Sequence, residues 1–303
     1  MSALICGSLA FDTITVFPGR FAEQILPDQI HILNTSFLVP TLRREFGGCA
    51  GNIAYTLKAL GGDAVVMATL GNDGGGYLER LGGLGVDTHY VRTVTESHTA
   101  QAIIITDRDS NQITAFHPGA MQFAHLTKIE KRADIALAIV APDGRDAMVQ
   151  HAQQLADAGI PFMFDPGQGL PMFDGAELRR FVDQATWVAV NDYEGRMLCD
   201  RTGLSLAELS SLPNLRGVIV TLGAEGCELW IDGRRQHVPG VKAQAVLDPT
   251  GCGDAFRGAV LYGLERGWDL ARCVELGNRV GAIKIATAGV QNHQLDRAAL
   301  GIA

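Results

Sequence analysis

Residues 248–256 (DPTGCGDAF) combine residue types that could bind an anion and act on it. Gly251 and Gly253 permit a tight turn, because glycine carries no steric penalty at positive φ. The nearly all-apolar run over residues 255–264 predicts a buried helix that Gly267 ends. The N–H groups at the start of such a helix are unpaired and lie at the positive end of its dipole. The sequence therefore predicts an anion site here, most suited to phosphate.

Asp254 directly follows this glycine turn, where a carboxylate would repel a bound phosphate unless it had a use. A base that takes a proton from an attacking hydroxyl needs that position, beside the phosphoryl group being transferred. Asp is also a favoured helix N-cap residue, and taken alone Asp254 would more often be that cap. The residues themselves leave both roles open.

The segment resembles the C-terminal signature of the ribokinase-like (phosphofructokinase B type) sugar and nucleoside kinases. The resemblance implies that Gly251, Cys252 and Gly253 form an anion hole for the γ-phosphate of ATP and that Asp254 is the catalytic base. Pro249 and Cys252 stand where the family more usually has a small or hydroxyl residue and an alanine. Neither change removes a donor from the turn.

Two segments near the N-terminus resemble the family's substrate-binding motifs. A short apolar strand over residues 3–6 leads through glycine to Asp12, as α/β sheets present polar groups at the carboxyl edge. Residues 47–52 (GGCAGN) open a helix with apolar residues at helical spacing. The resemblance implies that Asp12 and Asn52 bind sugar hydroxyls and that the backbone of Gly48 lies against the sugar. On sequence grounds alone, the alternative is that Asp12 is a solvated turn residue.

Two further motifs resemble the family's nucleotide side. Asn191 closes a predicted strand and Glu194 falls in the first turn of the next helix, so both face one crevice. The resemblance implies that this N-x-x-E pair positions phosphate and Mg²⁺ through water. Residues 221–226 (TLGAEG) resemble the nucleotide loop, which implies that Thr221, Gly223 and Gly226 hold the ATP phosphates. A strand-end Asn and a helix-start Glu are also ordinary capping residues.

The last predicted helix, over residues 270–286, carries Asn278, which the resemblance places near the adenine. The loop over residues 287–289, with Asp248 and Thr250, matches the place where many relatives hold a monovalent cation such as K⁺. The sequence contains neither G-x-x-x-x-G-K-[ST] nor the protein-kinase H-R-D set. Phosphate charge would therefore be met by helix N-termini and Mg²⁺ rather than by a lysine.

The middle of the chain alternates short Val/Ile-rich runs with helical patterns, which predicts a doubly wound, mostly parallel α/β sheet flanked by helices. Several predicted strands end in a polar residue, which places these residues on one edge of the sheet, where ligands bind. These residues are Asp12, Asp165, Asn191 and Thr221. Of these four residues, Asp165 is predicted to bind the substrate.

Two β-prone patches, at about residues 13–46 and 98–117, do not fit the β–α alternation. They include strands over residues 13–17 and 30–33 and a hairpin that pairs residues 102–106 with 112–116. Together they predict a small sheet beside the main one, and the resemblance implies a lid that closes over the substrate and excludes water. Residues 1–303 are otherwise expected to form one kinase domain.

Composition excludes several classes of protein. The 303 residues carry a net charge of −8 with no basic run, which disfavours nucleic acid as a partner. No run approaches the roughly 18 apolar residues of a membrane helix, and the first strand begins without a basic signal-peptide region. Six scattered cysteines and eight histidines show no metal or disulfide pattern, as expected of a cytoplasmic protein.

Residues 114–121 and 165–168 resemble the prokaryotic nucleoside kinase branch more than ribokinase itself. Phe116, with Phe17, Phe37 and Met121, could give a nucleoside base apolar surface, or these residues could pack the core of the lid. A ribonucleoside (adenosine, inosine or guanosine) is therefore favoured over a free sugar such as ribose or fructose. Two rivals are a nucleotide-binding regulatory protein and a dinucleotide-dependent dehydrogenase, although no G-x-G-x-x-G follows the first strand. Either a monomer or a homodimer is expected.

Overall fold

The structure is a computed structural model that describes residues 1–25, 32, 34–130 and 132–302. In chain order its strands are β1 (Ser2–Cys6), β2 (Ala10–Val16), β3 (Thr41–Gly47), β4 (Ala64–Gly71), β5 (Asp87–Val94), β6 (Ala100–Thr106), β7 (Gln112–His117), β8 (Ile135–Val140), β9 (Phe162–Phe164), β10 (Trp187–Asn191), β11 (Gly217–Thr221), β12 (Gly226–Ile231) and β13 (Arg234–Pro239). Its helices are α1 (Phe21–Gln24), α2 (Cys49–Ala59), α3 (Gly75–Gly83), α4 (Arg145–Ala158), α5 (Gly175–Gln184), α6 (Asp192–Thr202), α7 (Leu206–Ser210), α8 (Cys252–Glu265) and α9 (Leu270–Lys284).

The main sheet has the strand order β13-β12-β11-β10-β9-β8-β1-β4-β5. Its strands pair in parallel from β11 to β5, whereas β12 and β13 are antiparallel. The chain winds outward from β1 in both directions, so the crevice at the carboxyl ends of the central strands is the expected ligand position. This architecture confirms the predicted doubly wound, mostly parallel fold.

The central strand β1 shows why this sheet must be buried on both faces. Ala3 and Ile5 pack into one apolar core, while Leu4 and Cys6, which point to the opposite face, pack into another. The first core contains residues of α2, α8 and α9, and the second contains residues of α4, α5 and α6. Because both faces are covered, the strand is a continuous apolar run rather than an alternating one.

The second sheet has the strand order β3-β2-β6-β7 and corresponds to the two β-prone patches of the sequence. β2 starts at Ala10, three residues earlier than predicted, so Asp12 lies inside a strand, opposite Glu45 of β3. The expectation that Asp12 occupies a turn after β1 is therefore wrong. The predicted strand over residues 30–33 lies outside the described residues, apart from Ile32.

Residues 226–239 form a hairpin at the edge of the main sheet, as the Asp232-Gly233 pair in the sequence predicts. Ile231 pairs with Arg234 across a two-residue turn. Asp232 and Gly233 in that turn have φ values of 49° and 74°. Positive φ at both central residues is the geometry that an Asp-Gly turn favours. In the part of the chain that the structure describes, no helix is long and apolar enough to cross a membrane.

Candidate active site

The site forms around the N-terminus of α8. Its N-cap is Gly251, in the left-handed conformation with φ 75°, and a Cβ there would lie 3.0 Å from the side chain of Val290. Only glycine adopts this backbone without strain. Asp254 is the third residue of the helix, so it is not the N-cap residue. The N–H of Cys252 donates to the carbonyl oxygen of Pro249 at 3.2 Å, whereas those of Gly253 and Asp254 have no acceptor within the helix and are available to an anion.

The Asp254 side chain meets α2 across the crevice. Its Oδ2 accepts a hydrogen bond from Nδ2 of Asn52 at 2.8 Å. Burial raises the pKa of Asp254 to about 6; the hydrogen bond from Asn52 opposes this rise, Asp165 adds to it and Arg257 opposes it. A carboxyl group with this pKa is mostly ionised at neutral pH, yet it is a stronger base than an exposed aspartate.

A hydrogen-bond network that the sequence did not reveal fixes the orientation of Asn52. Arg80 donates from Nε to Oε1 of Gln291 at 3.1 Å, and Gln291 Nε2 donates to Asn52 Oδ1 at 3.1 Å and to Tyr77 Oη at 2.8 Å. Arginine can only donate, so Gln291 must present its oxygen to Arg80 and its nitrogen to Asn52. Asn52 must then turn its own nitrogen toward Asp254.

Asp165, which follows β9, forms a buried ion pair with Arg257 of α8. Oδ2 and Oδ1 of Asp165 accept from Nε and Nη2 of Arg257 at 2.9 and 3.1 Å. Both side chains are almost fully buried. Both carboxylate oxygens are thus engaged by Arg257, and the predicted contact between Asp165 and the substrate stays a prediction. Arg257 was missed, although it is a lone charge within the apolar run of α8.

The predicted sugar-binding residues come together at the start of α2. Gly48 has φ 87°, and a Cβ there would lie 2.7 Å from the backbone nitrogen of Ala10. A Cβ on Gly47 would lie 2.5 Å from Oδ2 of Asp12, so the Asp12 carboxylate lies beside this turn. Burial raises the pKa of Asp12 to about 6, helped by the nearby charges of Glu45 and Asp248. Asp12, Gly48 and Asn52 therefore line one end of the crevice.

The N-x-x-E pair forms a capping box at the start of α6. The Asn191 side chain accepts from the backbone N–H of Glu194, and Glu194 Oε2 accepts from the backbone N–H of Asn191, both at 2.8 Å. Burial raises the pKa of Glu194, opposed by this backbone bond, while the charges of Asp165 and Arg257 also act on it. Glu194 therefore caps α6, and it also lies close enough to Asp165 and Arg257 for their charges to affect its pKa.

The residues near Glu194 are compatible with a magnesium ion whose ligands are mainly phosphate oxygens and water. Among the described residues, no three His, Cys, Asp or Glu side chains cluster as a metal site. Mg²⁺ usually takes one or two carboxylates, several waters and substrate phosphates, so it needs no such cluster. Glu194 uses only Oε2 for its cap, which leaves Oε1 to accept from a metal-bound water.

The residues of the predicted nucleotide loop lie beside that box. Thr221 ends β11 directly opposite Asn191 of β10. Gly223 and Gly226 have φ values of 59° and 95°, and a Cβ on Gly226 would overlap the backbone of β13. Asn278 Nδ2 donates to the carbonyl oxygen of Pro239 at 3.1 Å, which ties α9 to β13. A contact between Asn278 and the adenine stays a prediction.

The aromatic residues proposed for the lid or the nucleoside base, Phe17, Phe37 and Phe116, fall into two groups. Phe17 and Phe37 pack edge to face with ring centroids 4.9 Å apart, and Phe21 packs against Phe37. Phe17 and Phe37 thus pack against each other, which agrees with the alternative that they form the core of the lid. Phe116 on β7 is instead half exposed. Of these aromatic residues it is the one free to offer a flat apolar surface to a ligand.

Comparison with known proteins places this geometry in a family. A family model described as pfkB family carbohydrate kinase matches residues 18–297. A nucleoside kinase from Burkholderia thailandensis, solved in complex with inosine, is 52% identical, with 99% of this chain and 95% of that chain covered and a TM-score of 0.87. Its structure in complex with ADP-inosine matches at 54% identity over 99% of this chain and 93% of that chain, with a TM-score of 0.85.

A nucleoside kinase from Methanocaldococcus jannaschii is 27% identical over 263 residues, which cover 86% of this chain and 85% of that relative. The family model alone spans most of the chain and includes the capping box, the nucleotide loop and the start of α8. The chain belongs to the pfkB family of carbohydrate kinases.

Proposed function

We propose that this protein transfers the γ-phosphate of ATP to the primary 5′-hydroxyl of a ribonucleoside. The observation that carries the proposal is the position of Asp254, in the first turn of α8 and hydrogen-bonded to Asn52, with a pKa of about 6. A carboxylate beside unpaired helix N–H groups is placed to deprotonate a hydroxyl that attacks a phosphoryl group held by those groups.

Asp254 acts as the general base, and the turn from Gly251 through Gly253 stabilises the transferring phosphoryl group. Phosphoryl transfer needs little covalent help from a protein, so positioning and charge stabilisation provide most of the catalysis. The donors of the α8 N-terminus are fixed by the helix before the reaction begins, which is the condition for strong electrostatic stabilisation. Cys252 is part of this turn, and its own N–H donates to the carbonyl oxygen of Pro249.

Asp12 and Asn52 hold the ribose hydroxyls, and the backbone of Gly48 lies against the sugar. The Asn52 amide has two N–H groups, of which one serves Asp254. The other N–H can donate to a sugar oxygen, so one side chain aligns the acceptor and the base. The second sheet, with Phe116 on its exposed face, is proposed to close over the nucleoside and keep water from the reaction.

ATP lies along Thr221, Gly223 and Gly226, with Asn191 near the phosphates and Asn278 at the adenine end. Mg²⁺ bound through water by Glu194 would neutralise phosphate charge. The use of ATP is supported by the related kinase of Burkholderia thailandensis, which has been solved with ADP-inosine. Free thiols at all six cysteines suit the cytoplasm, where such nucleotides are found.

A nucleoside is favoured over a free sugar because the relative with 52% identity over nearly the whole chain is a nucleoside kinase with bound inosine. The half-exposed ring of Phe116 gives this choice a physical basis, since a base needs apolar contact that ribose or fructose does not.

The test is a comparison of ADP release from Mg-ATP with inosine, adenosine, guanosine, ribose and fructose as acceptors. We expect the highest kcat/KM with a ribonucleoside. A higher kcat/KM with ribose or fructose would replace the nucleoside assignment by a sugar kinase. Nucleotide binding without turnover on any acceptor would instead indicate a regulatory protein.

A further inference from the structure

Lys284 places a positive charge under the loop that precedes α8. It is the last residue of α9, and its side chain is fully buried. Its Nζ donates to the backbone carbonyl oxygen of Asp248 at 2.8 Å and to that of Thr287 at 3.4 Å. A buried ammonium group is costly unless it is paired. Here the two carbonyls, together with the negative end of the α9 dipole, supply the compensation.

The two loops that Lys284 joins also define the shape of the anion site. The Asp248 carboxylate accepts from the backbone N–H of Thr250 through Oδ1 and from that of Gly289 through Oδ2, both at 2.9 Å. Val290 packs against Gly251, the N-cap of α8. The ammonium of Lys284 and the carboxylate of Asp248 thus hold residues 248–251 against residues 287–290, directly before the proposed anion hole.

The resemblance implies a monovalent cation at Asp248, Thr250 and the loop over residues 287–289, but the oxygens of Asp248 and Thr287 do not fit one in this chain. The carbonyls of Asp248 and Thr287 already accept from Nζ of Lys284, and both carboxylate oxygens of Asp248 accept from backbone N–H groups. A potassium ion among the same oxygens would also lie against a buried positive charge, where repulsion is strong. Lys284 already supplies one positive charge at these oxygens.

We propose that Lys284 is a built-in monovalent cation that positions the anion hole, so that this enzyme needs no potassium. The inference rests on the proposed phosphoryl transfer at α8. Lys284 is a positioning residue: it acts through the Asp248 carbonyl on residues 248–251, and these set the direction of the N–H groups that face the phosphate.

The first test uses the wild-type protein at constant ionic strength, with the chlorides of potassium, sodium or choline. We expect the same kcat and the same Tm in all three salts. A saturable rise of kcat or Tm with potassium alone would overturn the proposal. Complete lack of turnover on every acceptor would refute the proposed function, whereas the Tm comparison would still decide this inference.

The second test compares Lys284→Ala, which leaves space for an ion, with Lys284→Met, which fills the space without charge. Loss of a charged hydrogen bond predicts a fall in kcat of about 10- to 100-fold for both variants. Added potassium or ammonium should raise the kcat and Tm of Lys284→Ala in a saturable way and leave Lys284→Met unchanged. A merely structural lysine would give no such ion dependence.

The matched control is Lys128→Met, because Lys128 also donates from Nζ to a backbone carbonyl, that of His125 at 2.9 Å, but is exposed. This variant should keep wild-type kcat in every salt. Folded Lys284→Ala and Lys284→Met variants with unchanged kcat would contradict the proposal. If neither variant folds, the salt comparison on the wild type still decides.

Discussion

The 2.8 Å hydrogen bond from Asn52 to Asp254, residues 202 apart in the chain, joins the first turns of α2 and α8. One helix begins at the turn proposed to hold the sugar, and the other begins at the turn proposed to hold the transferring phosphate. This side-chain contact therefore aligns the proposed nucleoside site with the proposed phosphate site, and it lowers the pKa of the base, Asp254. This coupling makes the pH dependence of the reaction sensitive to Asn52.

Asn52→Ala should move the acid limb of the kcat/KM profile to higher pH. Activity falls where Asp254 becomes protonated, and the wild-type limb is expected near its pKa of about 6. The hydrogen bond from Asn52 stabilises the carboxylate and lowers this pKa, so its loss raises the pKa. A hydrogen bond to a charged group contributes about 1.5–3 kcal/mol, which corresponds to a shift of roughly one to two pH units.

The measurement is kcat/KM between pH 5 and pH 9, at nucleoside concentrations well below KM. The control is Asn72→Ala, since Asn72 is exposed and donates its amide to the carbonyl of Thr95 rather than to a carboxylate. An acid limb that stays in place in Asn52→Ala would show that the contact does not control the base.

Asp254→Asn should keep the fold and nucleotide binding but lose most turnover. The asparagine oxygen can still accept from Asn52, whereas it cannot take a proton from the acceptor hydroxyl. General-base catalysis contributes about 10²–10⁴-fold, so kcat should fall by that factor. ADP affinity from calorimetry and the Tm should change little. Asp157→Asn, at an exposed aspartate of α4, controls for the loss of one charge. A near-normal kcat in Asp254→Asn would remove the proposed base.

The sequence predicted the parts of this site that depend on local structure. The glycine turn, the apolar run of α8, the Asn-x-x-Glu box and the Asp-Gly hairpin each follow from neighbouring residues, and the structure has all four. The strand β5 was not predicted, because residues 87–94 (DTHYVRTV) are largely polar and form the edge of the sheet. Edge strands lack the apolar pattern that identifies buried ones.

The sequence did not predict which residues contact the site residues. Arg257 pairs with Asp165, and Gln291 orients Asn52, across separations of 92 and 239 residues. No local pattern records such pairs, which depend on how the layers pack. One signal was present: Arg257 and Lys284 are charged residues whose immediate neighbours on both sides are apolar. A charge in such a place must find a partner when it is buried.

The Arg257–Asp165 pair should be strongly coupled in stability measurements. Arg257→Met leaves the buried carboxylate without its partner and should lower the free energy of unfolding by about 3–5 kcal/mol. Asp165→Asn should be costly for the same reason. The double variant should lose much less than the sum of the two, because neither charge is then left alone.

Urea unfolding of the four proteins in this cycle measures the coupling. The exposed pair of Arg179 and Asp183, at 2.8 Å on α5, is the matched control, and Arg179→Met should cost only about 0.3–0.5 kcal/mol. Additive effects of Arg257→Met and Asp165→Asn would contradict the inferred ion pair.

Glu194→Gln separates the capping role of Glu194 from its proposed role toward magnesium. The glutamine oxygen can still accept from the backbone N–H of Asn191, so the cap of α6 and the Tm should be kept. The negative charge is lost, and the Mg²⁺ concentration for half-maximal activity should rise by about tenfold, equivalent to about 1.4 kcal/mol. The control is Glu208→Gln, because Glu208 forms a capping box of the same kind with Ser205 at the exposed start of α7. Titration of kcat/KM with Mg²⁺ at fixed free ATP should distinguish the two variants, whereas identical curves would mean that Glu194 serves only as a cap.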